Sequence, residues 1–156
     1  MHIALGTDHA GFELKEKIRE RLPEAGHEVQ DLGAYTLEPG DDYPDYAAAV
    51  AEAVRAGEVD RGIVVCGSGV GACVAANKVP GIRAALCSDT FTARQSVEDD
   101  DVNVLCLGAR AVGPELAFEI TWVWLEARFS GAERHRRRLG KVAALERRYT
   151  SGKKTA

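Results

Sequence analysis

Between Ile63 and Lys78 the chain reads IVVCGSGVGACVAANK: an apolar run, a cysteine, three glycines at alternate positions, then a return to helix-forming residues. A cysteine at such a junction is placed for chemistry. A thiol near a helix amino terminus has its pKa drawn from about 8.5 toward about 3.5–7.5, which makes it a base as well as a nucleophile. Gly67, Gly69 and Gly71 let successive backbone N–H groups converge on an anionic oxygen. Ser68 adds a hydroxyl able to carry a proton between neighbouring oxygens. With Cys66 as base, this set suits removal of a proton next to a carbonyl, the enediolate being held by amides.

Other chemistries fit the loop less well. A dinucleotide fingerprint needs glycine where Ala72 stands, and no Walker lysine follows at the required distance. The nucleophile elbow fails because Ser68 lies directly between two glycines. A cysteine phosphatase needs arginine six residues after its cysteine, where Ala72 again stands. Cys73, Cys87 and Cys106 read as small core residues.

Further candidates lie where parallel strands end. Asp8 and His9, in DHAGFELK, precede a helix whose amino terminus favours anions; a carboxylate suits sugar hydroxyls and a histidine suits phosphate, although a cap and a surface histidine would look the same. Arg110 follows VLCLGA, and Tyr43 sits in the proline-marked DDYPDYA. Arg134 and Arg138 of RHRRR are one helical turn apart, so both can reach one dianion; the bland alternative is a solvated basic face. Together these residues describe a small phosphorylated polyol held by cations. No metal or other cofactor is needed.

The elements that must position them are legible as alternation. HIALG, HEVQDLG, RGIVVCG, IRAALCS and VNVLCLG read as strands, each followed by an amphipathic stretch, which predicts βαβ units and a single α/β domain with a parallel sheet of about five strands. In the first helix Phe12, Leu14, Ile18 and Leu22 are expected inside, and Lys15, Glu16, Arg19 and Glu20 outside. A helix from Ala132 to Tyr149 extends the carboxy-terminal side, and residues 150–156 read as a frayed tail after a domain spanning 1–149. At 156 residues, with a net charge of −4, the chain suits one soluble domain and argues against a general nucleic-acid binder. No apolar run reaches membrane length, and MHIALGTDHAGF lacks the basic region of a signal peptide, so a cytoplasmic location with reduced cysteines is expected.

DHAGFELK, DYPDYA, CGSGVGACVAANKVPGIRAAL, NVLCLGAR and RHRRR, in this order and spacing, resemble the type B ribose-5-phosphate isomerases and the related galactose-6-phosphate isomerase subunits over nearly the whole chain. The resemblance implies a Rossmann-like three-layer sandwich, a homodimer with active sites at its interface and pairing into tetramers left open. It implies that Cys66 moves the proton between C1 and C2, that Ser68 assists movement between the sugar oxygens, and that Gly67, Gly69 and Gly71 hold the enediolate. It assigns Asp8 and Tyr43 to the sugar, and His9, Arg110, Arg134 and Arg138 to the phosphate, some across the interface. Asn103 matches a polar position of the same motif.

One position departs. Where the family pattern has a histidine assigned to opening the furanose ring, SVEDDDVNVL has Asp99. A carboxylate with a reference pKa of about 3.9 is a poor proton donor near neutrality unless burial or its acidic neighbours raise it. The alternative is a substrate with no ring to open. A tetrose 4-phosphate cannot form a furanose, because the oxygen that would close the ring carries the phosphate. Three readings therefore stand: isomerisation of ribose 5-phosphate; the same chemistry on erythrulose 4-phosphate; and, from another class, a noncatalytic sugar-phosphate-binding module. A hydrolase with Cys66 as nucleophile lacks its partner arginine.

Overall fold

The computed structural model describes residues 1–150; most of the expected tail, residues 151–156, lies outside them. Strands and helices alternate as expected: β1 (His2–Thr7), α1 (Phe12–Glu24), β2 (Glu28–Asp31), α2 (Tyr43–Ala56), β3 (Arg61–Cys66), α3 (Val70–Ala76), β4 (Ala84–Leu86), α4 (Thr90–Asp100), β5 (Val104–Gly108), α5 (Pro114–Glu126) and α6 (Glu133–Thr150). The five strands are parallel in the order β2-β1-β3-β5-β4. No helix among the described residues is long and apolar enough to cross a membrane.

The period-two alternation of strand side chains divides the core in two. Ile3, Leu5, Ile63, Val65, Leu105 and Leu107 pack with α1, α4 and α5. Ala4, Val64, Cys66, Val104 and Cys106 pack with α2 and α3 on the other face. That second face is built of small residues, and α2 lies close against it. A Cβ on Gly6 would stand 2.8 Å from Val50 Cγ2, and one on Gly62 would stand 2.5 Å from Val50 Cγ1. Cys66, the last residue of β3, thus points toward the layer that carries Tyr43 at the start of α2.

Strand order also locates the crevice. From β1 the chain steps outward to β2; from β3 it steps the opposite way, past β5, to β4. The connections therefore diverge between β1 and β3, and open parallel sheets bind ligands beyond the carboxyl ends of strands at such a point. Asp8 follows one of these strands and Cys66 ends the other.

One expectation fails on α1. Lys15, read as solvent-facing, is fully buried. Its ammonium bonds both oxygens of Asp31 at 3.1 and 2.8 Å and lies 2.6 Å from Glu16, so the end of β2 covers the face the helix was expected to wet. Asp31 also accepts the Gly33 N–H at 3.0 Å, which fixes the start of the loop that leads to α2. Phe12, expected in the core, is half-buried.

The close approach of α2 yields a test remote from the crevice. Gly62→Ala places a methyl group against Val50, Val54 and Val104. We expect unfolding free energy to fall by about 1–3 kcal/mol, read from the urea midpoint at unchanged m-value; an unaltered midpoint would show that the packing yields freely there.

Candidate active site

The loop after β3 lies over the end of β5. Cys66 pairs in register with Gly108, the Ala109 N–H donates to the Cys66 carbonyl at 2.8 Å, and the Arg110 N–H donates to the Gly67 carbonyl at 2.9 Å. These bonds set the Arg110 guanidinium within 3.6 Å of where a Gly67 side chain would begin. Gly69 has φ +79°, and a Cβ there would stand 2.4 Å from Leu86 Cδ1, so both conformation and space require glycine. Its N–H donates to Cys66 Sγ at 3.0 Å, holding the buried sulfur at the loop. Ser68 is exposed, and its hydroxyl accepts the Val70 N–H at 3.3 Å. Gly71 lies under the ring of Tyr43, where a Cβ would stand 2.7 Å from Tyr43 Cζ.

Across the divergence point, Asp8 is buried and its Oδ1 has no hydrogen-bond partner. Burial raises the Asp8 pKa; the negative charge of Asp41 adds to the rise and His9 opposes it. His9 is one-third exposed and is gripped twice by Asp41. Its backbone N–H and its ring Nδ1 bond the same oxygen, Asp41 Oδ1, at 2.9 and 2.6 Å. Burial works against ionisation of Asp41, but the bonds from the His9 backbone and ring, with the Tyr46 hydroxyl nearby, outweigh it and hold its carboxyl below the usual range; Asp41 Oδ2 is buried without a hydrogen-bond partner. Asp8, His9 and Asp41 also bring ligand-type atoms within 4.8 Å of one another, the one such trio of metal-ligand residue types among the described residues.

Asp8, His9, Tyr43, Cys66, Gly67, Ser68, Gly71 and Arg110 line a single cleft of about 440 Å³. Gly69 does not line it; its N–H bond holds the Cys66 sulfur that does. A neighbouring cleft of about 340 Å³ shares His9, Ala10 and Arg110 and adds Glu13 and Lys17. Buried carboxylate, thiol, hydroxyl and guanidinium therefore face one volume, large enough for a small polar molecule.

Four predicted site residues are not brought there. Asn103 precedes β5, whose far end pairs with Cys66, so it lies at the opposite end of the strands, more than about 13 Å of strand away. Its amide is engaged in the chain itself, accepting the Arg83 N–H at 2.8 Å and donating to the Gly81 carbonyl at 3.1 Å. Asp99, in the last turn of α4, faces buried His135 at 3.4 Å on that same side. Arg134 and Arg138 are exposed on α6, which is anchored there by His135 and by Glu146 accepting the Gly81 N–H at 3.0 Å. Within one chain these residues and the cleft occupy opposite ends.

Two features escaped the sequence. Asp41 reads there as one of an acidic pair ahead of a helix, and nothing in GDDYP points to His9, 32 residues away. A thiol pair is the second: Cys73, read as a core residue, is half-buried beside fully buried Cys106. The hydrogen bond from the Cys106 thiol is the chief cause that draws Cys73 down to about 6.

The sequence pattern of the Ribose/Galactose Isomerase family matches residues 3–142. Ribose-5-phosphate isomerase B of Escherichia coli is 49% identical over 146 residues, 94% of this chain and 97% of that protein. D-erythrulose-4-phosphate isomerase of Pectobacterium atrosepticum is 44% identical over 134 residues, 84% of this chain and 86% of that one. The structure of Clostridium thermocellum ribose-5-phosphate isomerase B superposes with a TM-score of 0.93 at 50% identity, covering 96% of this chain and all of the other. With the family pattern spanning almost the whole domain and near-half identity to its enzymes, the chain belongs to the ribose/galactose isomerase family of type B ribose-5-phosphate isomerases and is a sugar-phosphate isomerase.

Proposed function

We propose that the protein interconverts ribose 5-phosphate and ribulose 5-phosphate through a cis-enediolate, with Cys66 as the base. The observation that carries this reading is the cleft, where the Cys66 sulfur, the glycine loop and the Arg110 guanidinium meet opposite buried Asp8. The Cys66 thiolate takes the proton from C2 of the open-chain aldose, and the electron pair moves onto O1. Ser68 carries a proton between O1 and O2, the loop amides stabilise the anionic oxygen, and Cys66 returns its proton to C1. Asp8 and Tyr43 hold the sugar hydroxyls; His9 and Arg110 hold the phosphate. No redox cofactor enters, because the reaction is an internal transfer.

The cations at the other end of the sheet fit a two-fold homodimer. In that assembly Arg134 and Arg138 of a second copy complete the phosphate site, and Asp99 and Asn103 of that copy approach the same cleft. An isologous interface repeats each contact, so one rotation completes two sites.

Asp99 supports a second substrate. It stands where a ring-opening histidine is expected and faces His135 in its own chain. Erythrulose 4-phosphate needs no ring opening, and a site for it would lose nothing by the replacement.

Two measurements test these assignments. Cys66→Ala should lower kcat by about 10²–10⁴-fold while sugar-phosphate binding, followed by calorimetry, persists; a loss under tenfold would remove Cys66 from the role of base. Turnover of ribose 5-phosphate and erythrulose 4-phosphate should be compared in wild type and in Asp99→His. Higher kcat/KM on the pentose is expected, with a further gain in Asp99→His on the pentose alone. A strong preference of wild type for the tetrulose would install the second substrate instead, and turnover of neither would leave a binding module.

A further inference from the structure

Asp41 is the least expected of the charged groups around the cleft. It is nearly buried, carries a negative charge, and stands behind a residue assigned to an anion. A bystander carboxylate there would repel phosphate. Its contacts describe something else. One oxygen, Oδ1, takes both the backbone N–H and the ring Nδ1 of His9, so the residue is held at its main chain and at its ring by a single acceptor.

The loop that carries Asp41 is itself tied down. Leu32 N–H donates to the Leu5 carbonyl, Gly33 accepts from Thr7, and Ala34 N–H donates to the Thr7 carbonyl, each at 2.8 Å, so the loop begins as a continuation of the β1 edge. Asp41 N–H closes the far side on the Glu38 carbonyl at 3.0 Å. A carboxylate on such a support is a fixed point rather than a floating charge.

We propose that Asp41 is the positioning residue of the phosphate site: by clamping His9 through Nδ1 and the main chain, it turns Nε2 toward the cleft as the nitrogen that meets the substrate phosphate. With Nδ1 committed to Asp41, Nε2 offers an N–H to an oxyanion only in the imidazolium form. Asp41 thereby converts a partly exposed histidine into an oriented donor without touching substrate itself. This inference rests on the reading of the cleft as a sugar-phosphate site and adds to it the group that sets phosphate affinity.

The sign of the effect separates this role from simple proximity. Deleting a negative charge beside an anion site strengthens anion binding if the charge only repels, and weakens it if the charge positions the donor. Inorganic phosphate is titrated by calorimetry into wild type, Asp41→Asn, Asp41→Ala and Asp42→Asn, with KM and kcat measured alongside on the turned-over sugar phosphate. Asp42 is the control, an exposed carboxylate one residue along whose side chain makes no cap bond to α2. We expect Asp41→Asn to weaken phosphate about tenfold, the size of one charge-assisted hydrogen bond, and KM to rise in step while kcat changes less than about threefold. Asp41→Ala should weaken binding at least as much, and Asp42→Asn should match wild type. The proposal is overturned if Asp41→Asn binds phosphate as tightly as wild type or tighter, or if kcat falls while phosphate affinity and KM stand still. Should Asp41→Ala fail to fold, Asp41→Asn decides the matter: it keeps the shape of the side chain but replaces the charged acceptor that both His9 donors share with a neutral amide oxygen. Wild type that binds phosphate but isomerises no sugar phosphate would refute the proposed reaction while leaving the phosphate titrations to judge Asp41; wild type that turns over sugar phosphate but binds no inorganic phosphate would overturn the Asp41 proposal and leave the reaction standing.

Discussion

The seating of the loop after β3 on the end of β5 governs the geometry of the cleft. Gly108 has no side chain, and the Ser68 carbonyl lies 2.4 Å from where its Cβ would be. Only that contact lets the backbone of one strand end drop onto the next, so that the Ala109 and Arg110 amides bond the carbonyls of Cys66 and Gly67. The loop after β3 and the segment that carries Arg110 are thus parts of one hydrogen-bonded unit. A side chain at Gly69 or Gly108 would lift the loop, and the sulfur, the amides and the guanidinium would lose their common focus together.

The second constraint is the thin face of the sheet. Ala47, Val50 and Ala51 of α2 meet Gly6, Gly62 and Ala4, and this draws the helix inward until Tyr43 lies against Gly71. The thicker face, with Phe118, Trp124 and the leucines, supplies most of the bulk of the core. The division is between bulk and precision: large side chains bury area where no ligand binds, and small ones allow close backbone approach where one does. Lys15, a large buried side chain on α1, also serves precision rather than bulk. Its bonds to Asp31 fix the end of β2, and through Gly33 they fix the loop that carries Asp41.

Period and punctuation made the fold readable. RGIVVCG and VNVLCLG alternate large and small residues between two buried faces, and each strand is closed by glycine or a polar turn, so strand number and direction followed from the chain alone. The half of the site on the β3 loop was readable for the same reason, because its residues are contiguous. Lys15 was misread because a helical wheel shows which residues share a face but not that Asp31 arrives to pair with one on the wet side. Asp41 was missed because its partner His9 is local in space and distant in sequence. Asp99, Arg134 and Arg138 were readable as residues and not as a place: their positions in one chain lie across the sheet from Cys66.

That separation has a physical logic of its own. This parallel sheet has two ends of opposite character, with the glycine loop and buried Asp8 at one and the exposed guanidiniums of α6 at the other. Arg134 and Arg138 have the exposed apolar side chains Val142 and Leu145 farther along the same helix, so the segment offers both charge and hydrophobic area to whatever covers it. A cleft open on the side of Ser68 and Arg110 has the complementary need under the proposed function, since a phosphate held by His9 and Arg110 alone would stay wet with its charge only partly balanced. Placing the α6 end of one copy over the cleft of another meets both needs in a single contact. In the proposed dimer that contact would exclude water from the enediolate, where low dielectric makes loop amides most effective, and would make assembly a condition of turnover rather than an accompaniment to it.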